Sequence, residues 1–215
     1  MRNICDDIPR DQRWGEEWAR RNGWDVVAGV DEAGRGPLAG PLVVAAVILP
    51  RDDGICGIKD SKKTSELQRE ALFPLIVSKA VCAVRMAGHE RIDEVNILRA
   101  TMESMDWAVT RLCSRLQGVP DLVIVDGPHL PPLLAASATR SIPLKKGDAL
   151  SENVAAASIV AKVVRDRLMR RMALRYPGYG FERHKGYGTA AHLEALARLG
   201  PCPIHRRSFA GVEQR

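Results

Sequence analysis

Residues 25–49 read DVVAGVDEAGRGPLAGPLVVAAVIL, and this stretch decides the fold. Two apolar, β-branched runs, 25–30 and 42–49, flank the glycine- and proline-rich turn AGRGPLAGP. Runs of this kind bounded by turn residues are strands, and Asp31-Glu32 follows the first of them. Outward from this pair, residues 65–79 predict a helix with Ser65 as its cap, and residues 80–87 a third strand. Residues 91–117 carry apolar side chains at helical spacing and predict one or two helices. The run DLVIV at 121–125 is short and fully apolar, the kind buried in a sheet centre. Residues 141–144 are a weaker strand candidate, 151–175 an alanine-rich helix that turns basic and stops at Tyr176-Pro177-Gly178, and 189–199 a last helix. Strands followed by alternating helices and strands imply an α/β fold, a mixed β-sheet flanked by helices with a C-terminal helical portion.

No repeat or linker divides the 215 residues, so residues 25–215 read as one body and 1–24 as an N-terminal extension. Within that extension, residues 9–22 predict a short charged helix that Trp14 and Trp18, one turn apart, can dock. The longest apolar run has eight residues, against the roughly 20 needed to cross a bilayer. The opening residues MRNICDDIPRDQ contain no apolar signal segment, so a cytoplasmic protein without membrane contact is expected. Five cysteines at 5, 56, 82, 113 and 202 are odd in number and widely spaced, which predicts free, mostly buried thiols. Charge is uneven: residues 162–215 hold 12 basic and 4 acidic residues, a net of +8, while residues 1–161 hold 20 and 22, a net of −2. A basic C-terminal quarter is a footprint for a polyanion, or simply a solvated helix face.

The chemistry concentrates in four acids. Asp31 and Glu32 follow the first strand, Asp126 ends DLVIV, and Asp148 sits in KKGD before the alanine-rich helix. Acids at buried strand ends are costly unless paired or holding a metal, and strand ends of one sheet converge. Each acid alone also fits a turn or cap. Together, beside a basic tail, they point to oxygen ligands for Mg²⁺ or Mn²⁺. Two such ions roughly 4 Å apart can clamp the attacking and leaving oxygens of a phosphodiester. The glycines at 34, 36 and 40 are not a dinucleotide fingerprint, because the loop joins two strands and the pyrophosphate needs a helix N-terminus. They let backbone groups approach a phosphate or sugar hydroxyl, or they make a tight hairpin turn and nothing more.

The blocks GVDEAGRGPLAGP (29–41), DSKK (60–63), IDEVNIL (92–98), VDG (125–127), KGD (146–148), AAASIVAKVVRDRLM (155–169), YGFERHKGYGT (179–189) and HRRSF (205–209) occur in family order. The sequence resembles bacterial ribonuclease HII over about residues 25–210. The resemblance implies a ribonuclease H-like fold and hydrolysis of the RNA strand in RNA–DNA hybrids. It also implies incision 5′ of single ribonucleotides in duplex DNA, leaving 3′-hydroxyl and 5′-phosphate ends, and hence ribonucleotide excision repair. It assigns the catalytic metal ligands to Asp31, Glu32, Asp126 and Asp148, with two ions in use during catalysis. It assigns the contact with the ribose 2′-hydroxyl to the backbone of Gly34, Arg35 and Gly36, and sensing of the RNA-to-DNA junction to Tyr187.

Elementary physics agrees: telling RNA from DNA at one position requires reading the 2′-hydroxyl, and a flat ring against a sugar tolerates hydrogen at C2′ but crowds a hydroxyl. Lys62, Lys63, Lys146, Lys185, Arg206 and Arg207 are the basic residues expected against phosphates, with His184 the histidine expected to touch substrate. Asp166 and Glu152 are secondary acids that an intrahelical pair and a helix start explain as well. His192 and His205 are candidate acid–base groups. The alternatives are a ribonuclease HIII-like hybrid nuclease, which usually needs an N-terminal domain longer than 24 residues, and a silent binding module of the same fold. A monomer is expected.

Overall fold

The hairpin at residues 25–49 forms as two antiparallel strands, β1 (Val27–Ala33) and β2 (Leu42–Ile48). The computed structural model describes residues 14–51, 54–55, 57–58 and 64–212. β1 runs further than its apolar residues predict, because Asp31 and Glu32 still pair with Ala45 and Val44. Both acids therefore lie on the strand, not after it. All 7 residues of β2 are buried. Leu42, Val44, Ala46 and Ile48 face one cluster with Ala100, Met105, Ala108 and Leu112 of α4 (Ile97–Leu116). Val43, Ala45 and Val47 face another with Ala155, Ala156, Ile159 and Val160 of α7 (Glu152–Arg175). A strand covered by helices on both faces has no polar face to alternate with.

The sheet has the order β3-β2-β1-β4-β5, with β3 (Val81–Ala87) antiparallel to β2. β4 (Leu122–Asp126) runs parallel to β1, and β5 (Ser141–Leu144) parallel to β4. Val30 pairs with Val125, so the next residues, Asp31 and Asp126, lie at the same end of adjacent central strands. The helix α7 reaches this sheet because β1 carries Gly29. A β-carbon there would stand 2.2 Å from the Asn153 carbonyl carbon, so only glycine lets the helix come so close.

The helix predicted at 65–79 is α2 (Glu66–Lys79), closed by a capping box between Ser65 and Gln68. The segment 91–117 divides into α3 (His89–Val95) and α4 at Asn96, whose side chain caps α4 by accepting from Arg99 N–H at 3.0 Å. Three short helices escape the sequence reading: α5 (Pro132–Ala136), α6 (Gly147–Leu150) and α8 (Phe181–His184). The last helix is α9 (Ala190–Leu199). Among the described residues no helix is long and apolar enough to cross a membrane. Cys82 and Cys113 are half-buried free thiols and Cys202 a buried one, while Cys5 and Cys56 lie outside the described residues.

At the N-terminus, α1 (Trp14–Arg21) covers the starts of the central strands. Trp18 meets Trp24 edge to face at 5.0 Å and packs with Ala19, Val27, Leu122 and Ile124; the docking expected of the Trp14 side chain lies outside the described residues. Glu16 has a role that hydrophobicity cannot reveal. Its carboxylate accepts from the Ser151 hydroxyl at 2.5 Å, from Glu152 N–H and Asn153 N–H at 3.1 Å, and from Asn153 Nδ2 at 3.0 Å. A carboxylate on the free N–H groups of a helix N-terminus is favoured by both hydrogen bonding and the macrodipole. Replacing Glu16 by Ala should therefore cost about 1–2 kcal/mol of stability. Urea unfolding at pH 7 measures this, and an unchanged midpoint would contradict it.

Candidate active site

The shared end of β1 and β4 opens into a cleft of about 300 Å³. Asp31, Glu32 and Asp126 line it, together with Gly34, Arg35 and Gly36 of the loop after β1, and Tyr187 from the loop after α8. Three of the four predicted acids, the glycine loop and the tyrosine thus share one cavity. Asp148 is buried in the first turn of α6 and does not line the cleft. It stands beside Gly147, whose N–H donates to Asp126 Oδ1 at 2.7 Å and so fixes that carboxylate. The left-handed backbone of Lys146 at φ +61° makes the turn that aims this N–H.

The Asp31 carboxyl is held well above the usual carboxylate range. Burial is the main cause, and the neighbouring Glu32 and Asp126 carboxylates add to it. Hydrogen bonds from the Ser158 hydroxyl and from Glu32 N–H, the latter at 2.7 Å, oppose the shift. Three acids crowded around one cleft are an arrangement that a cation relieves, and the donors are all oxygen, which suits a hard divalent ion. Among the described residues no group of three or more His, Cys, Asp or Glu side chains is already placed to hold a metal ion. The acids border an open cleft, as a site that must also admit a phosphate requires.

Three polar lining residues are absent from the sequence reading: Arg69 on α2, and Ser158 and Lys162 on α7. The last two were legible in principle, since Ser158, Lys162 and Arg165 recur at helical spacing through the otherwise apolar stretch 154–165. Lys162 also pairs with Asp166 at 2.8 Å, the intrahelical pair that accounts for this secondary acid. Glu152 lies in the first turn of α7.

Two of the basic residues expected against phosphates, Arg206 and Lys185, are turned inward. Arg206 is fully buried. It donates to Gly34 O at 2.6 Å, to Arg35 O at 2.9 Å and to Gly40 O at 2.9 and 3.0 Å. Its guanidinium holds the glycine loop from behind and cannot reach a phosphate. Burial and the charge of Arg165 lower its pKa to about 9, which leaves it charged at neutral pH. Arg165, also fully buried, donates to Ala39 O, Pro41 O and Lys185 O at 2.9–3.1 Å. Gly34 is open enough for this only because it has no side chain: its φ is +96°, and a β-carbon would meet Arg165 Nε at 2.0 Å.

Lys185 is buried too, with Nζ donating to Glu182 O at 2.6 Å and lying 3.8 Å from Glu66. His184 is half-buried and both its ring nitrogens engage backbone, Nδ1 accepting from Gly186 N–H at 3.2 Å and Nε2 facing Tyr179 O at 2.8 Å. With both nitrogens so engaged, neither is free to hydrogen-bond a substrate in this arrangement. Lys146 and Arg207 are exposed, whereas Lys62 and Lys63 lie outside the described residues. On the exposed face, Arg167 and Arg170 are tied to Glu66 and Glu70 of α2. The basic C-terminal quarter therefore presents less free charge than its composition suggests.

Tyr187 is 43% exposed at the edge of the cleft. A β-carbon on Gly36 would lie 3.7 Å from its Cε1, so ring and glycine loop are neighbours. The Arg165 guanidinium and the Lys162 ammonium stand 5.8 and 6.0 Å from the ring centre.

Comparison with known proteins points to one family. A family model described as Ribonuclease HII matches residues 28–212. The chain is 51% identical over 213 residues to a ribonuclease HII of Geobacter metallireducens, covering 98% of this chain and 96% of that one. It is 50% identical over 201 residues to a ribonuclease HII of Chlamydia trachomatis, covering 93% and 88%. Among solved structures, ribonuclease H2 of Pyrococcus horikoshii superposes with a TM-score of 0.70 at 31% identity, covering 87% of this chain and 95% of that one.

Proposed function

The chain belongs to the ribonuclease HII family and is a ribonuclease H endonuclease, and we propose that the cleft between β1 and β4 is where it cuts. The reading rests on one observation above others: Asp31, Glu32 and Asp126 share a cavity with the Gly34–Gly36 loop and with Tyr187. Acids that attract cations and a backbone able to read a hydroxyl are what cleavage next to a ribose needs. The proposed substrates are the RNA strand of RNA–DNA hybrids and single ribonucleotides in duplex DNA, cut on the 5′ side to leave 3′-hydroxyl and 5′-phosphate ends.

Asp31, Glu32 and Asp126, with Asp148 behind them, would hold Mg²⁺ or Mn²⁺, two ions during turnover. When bound, such ions make water nucleophilic at neutral pH and stabilise the departing 3′-oxygen. The chain's own residues do the rest. The Ser158 hydroxyl and Glu32 N–H orient Asp31, and Gly147 N–H orients Asp126. The backbone of Gly34, Arg35 and Gly36 meets the 2′-hydroxyl, and Arg69 and Lys162 supply positive charge for the phosphates along the cleft.

Tyr187 lies against the sugar that follows the cut and favours a deoxyribose there. Replacing it by Ala is expected to lower incision at a single ribonucleotide about tenfold more than cleavage within a long RNA tract. Equal losses on the two substrates, measured as kcat/KM, would contradict junction sensing.

A further inference from the structure

Behind Tyr187 lies a chain of hydrogen bonds through two fully buried imidazoles, His192 and His205. A backbone donor at one end sets its direction. Cys202 N–H donates to His205 Nδ1 at 2.9 Å, which places the His205 proton on Nε2. That nitrogen is 3.1 Å from His192 Nε2, which must then accept. The His192 proton is left on Nδ1, 2.9 Å from Tyr187 O. A proton on His205 Nδ1, aimed at Cys202 O 3.2 Å away, would reverse every partner and set a bare His192 Nδ1 against the tyrosine carbonyl. Only one pair of tautomers satisfies all three contacts. Burial keeps both rings neutral, pushing His205 down to about 4 and His192 in the same direction.

We propose that His205 and His192 are positioning residues for the cleavage reaction, a relay that fixes the backbone of Tyr187 and thereby where its ring lies against the sugar at an RNA-to-DNA junction. The proposal rests on the junction role given to Tyr187 above. Among the described residues the exposed ring has no hydrogen bond to orient it, so its placement follows from its backbone and from the Arg165 and Lys162 charges over its face. His192 donates to that residue's carbonyl, and His184, stacked on His192 at 4.5 Å, accepts from the N–H of the preceding Gly186.

Two measurements test this. Nitrogen-15 NMR of labelled histidine at pH 7 should find His205 protonated on Nε2 and His192 on Nδ1, and the opposite tautomers would overturn the relay. Kinetics of His192→Asn and His192→Gln then separate positioning from packing. Both variants remove the ring, but asparagine keeps a donor near Nδ1 and glutamine carries its amide near Nε2 instead. His192→Gln should lose about tenfold in kcat on a single-ribonucleotide duplex and little on an RNA–DNA hybrid, with His192→Asn restoring most of the loss. Equal losses on both substrates that follow the fall in Tm would make the histidines core filling and overturn the proposal. Tyr187→Ala assayed alongside separates the two claims. If it is selective and His192→Gln is not, the relay's role alone fails. If it is unselective, the junction reading fails and the proposal with it.

Discussion

Replacing Asp31 by Asn is expected to abolish cleavage while leaving the protein at least as stable. In the folded chain the Asp31 carboxyl is buried beside Glu32 and Asp126, and its pKa is held well above the ordinary value. The native state therefore keeps a proton that the unfolded chain releases. Stability falls as pH rises from the ordinary carboxylate value through the raised one. Asparagine has the same shape, can accept the hydrogen bonds from Ser158 and Glu32 N–H, and carries no charge to desolvate. The repulsion disappears, and with it that part of the pH dependence. Activity moves the other way, because the carboxylate is needed to hold cations. Losing several kcal/mol of transition-state stabilisation corresponds to a fall on the order of a thousandfold. Thermal unfolding and cleavage assays on the same preparation test both halves. Loss of activity together with a Tm lowered by several degrees would make Asp31 a structural residue.

Replacing Arg206 by Ala should have the largest effect on stability. The side chain serves Gly34 O, Arg35 O and Gly40 O, three carbonyls that no strand or helix pairs through this contact, and it fills a fully buried volume. Each buried carbonyl left without a donor costs about 1–3 kcal/mol, less where water enters. The expected net loss is about 3–5 kcal/mol. The glycine loop would lose its support at the same time, so the cleft should fail even in the molecules that remain folded. Arg206→Lys keeps the charge but not the planar fork that spans three acceptors, and should recover less than half of the stability. A phosphate-contact role makes a different prediction: Tm unchanged, with substrate binding weakened in a salt-dependent way. Urea unfolding beside a salt series of binding measurements decides between them.

Much of this architecture is legible in the chain. The strands β2 and β4 announce themselves as unbroken apolar runs, and Asp126 closes the second of them. What hydrophobicity misses is a strand that continues through charge: β1 passes Asp31 and Glu32 because β2 supplies a ladder partner for each. Single-turn helices such as α6 and α8 are too short for any periodicity to show. Contacts across long sequence separations are equally silent. Glu16 caps a helix 135–137 residues away, and Arg206 reaches carbonyls 166–172 residues before it. A buried arginine and a surface arginine read alike in a sequence, which is why basic residues near the C-terminus suggest phosphate contacts that the fold instead commits to its own loops.

The most direct test of the account is incision of a DNA duplex carrying one ribonucleotide, assayed with Mg²⁺, with Mn²⁺ and with excess chelator. A single cut on the 5′ side of the ribonucleotide, leaving a 3′-hydroxyl, is expected. That cut should be lost in chelator and in Asp126→Asn while the duplex is still bound. Binding without a cut under either metal, or a cut that survives the chelator, would contradict it.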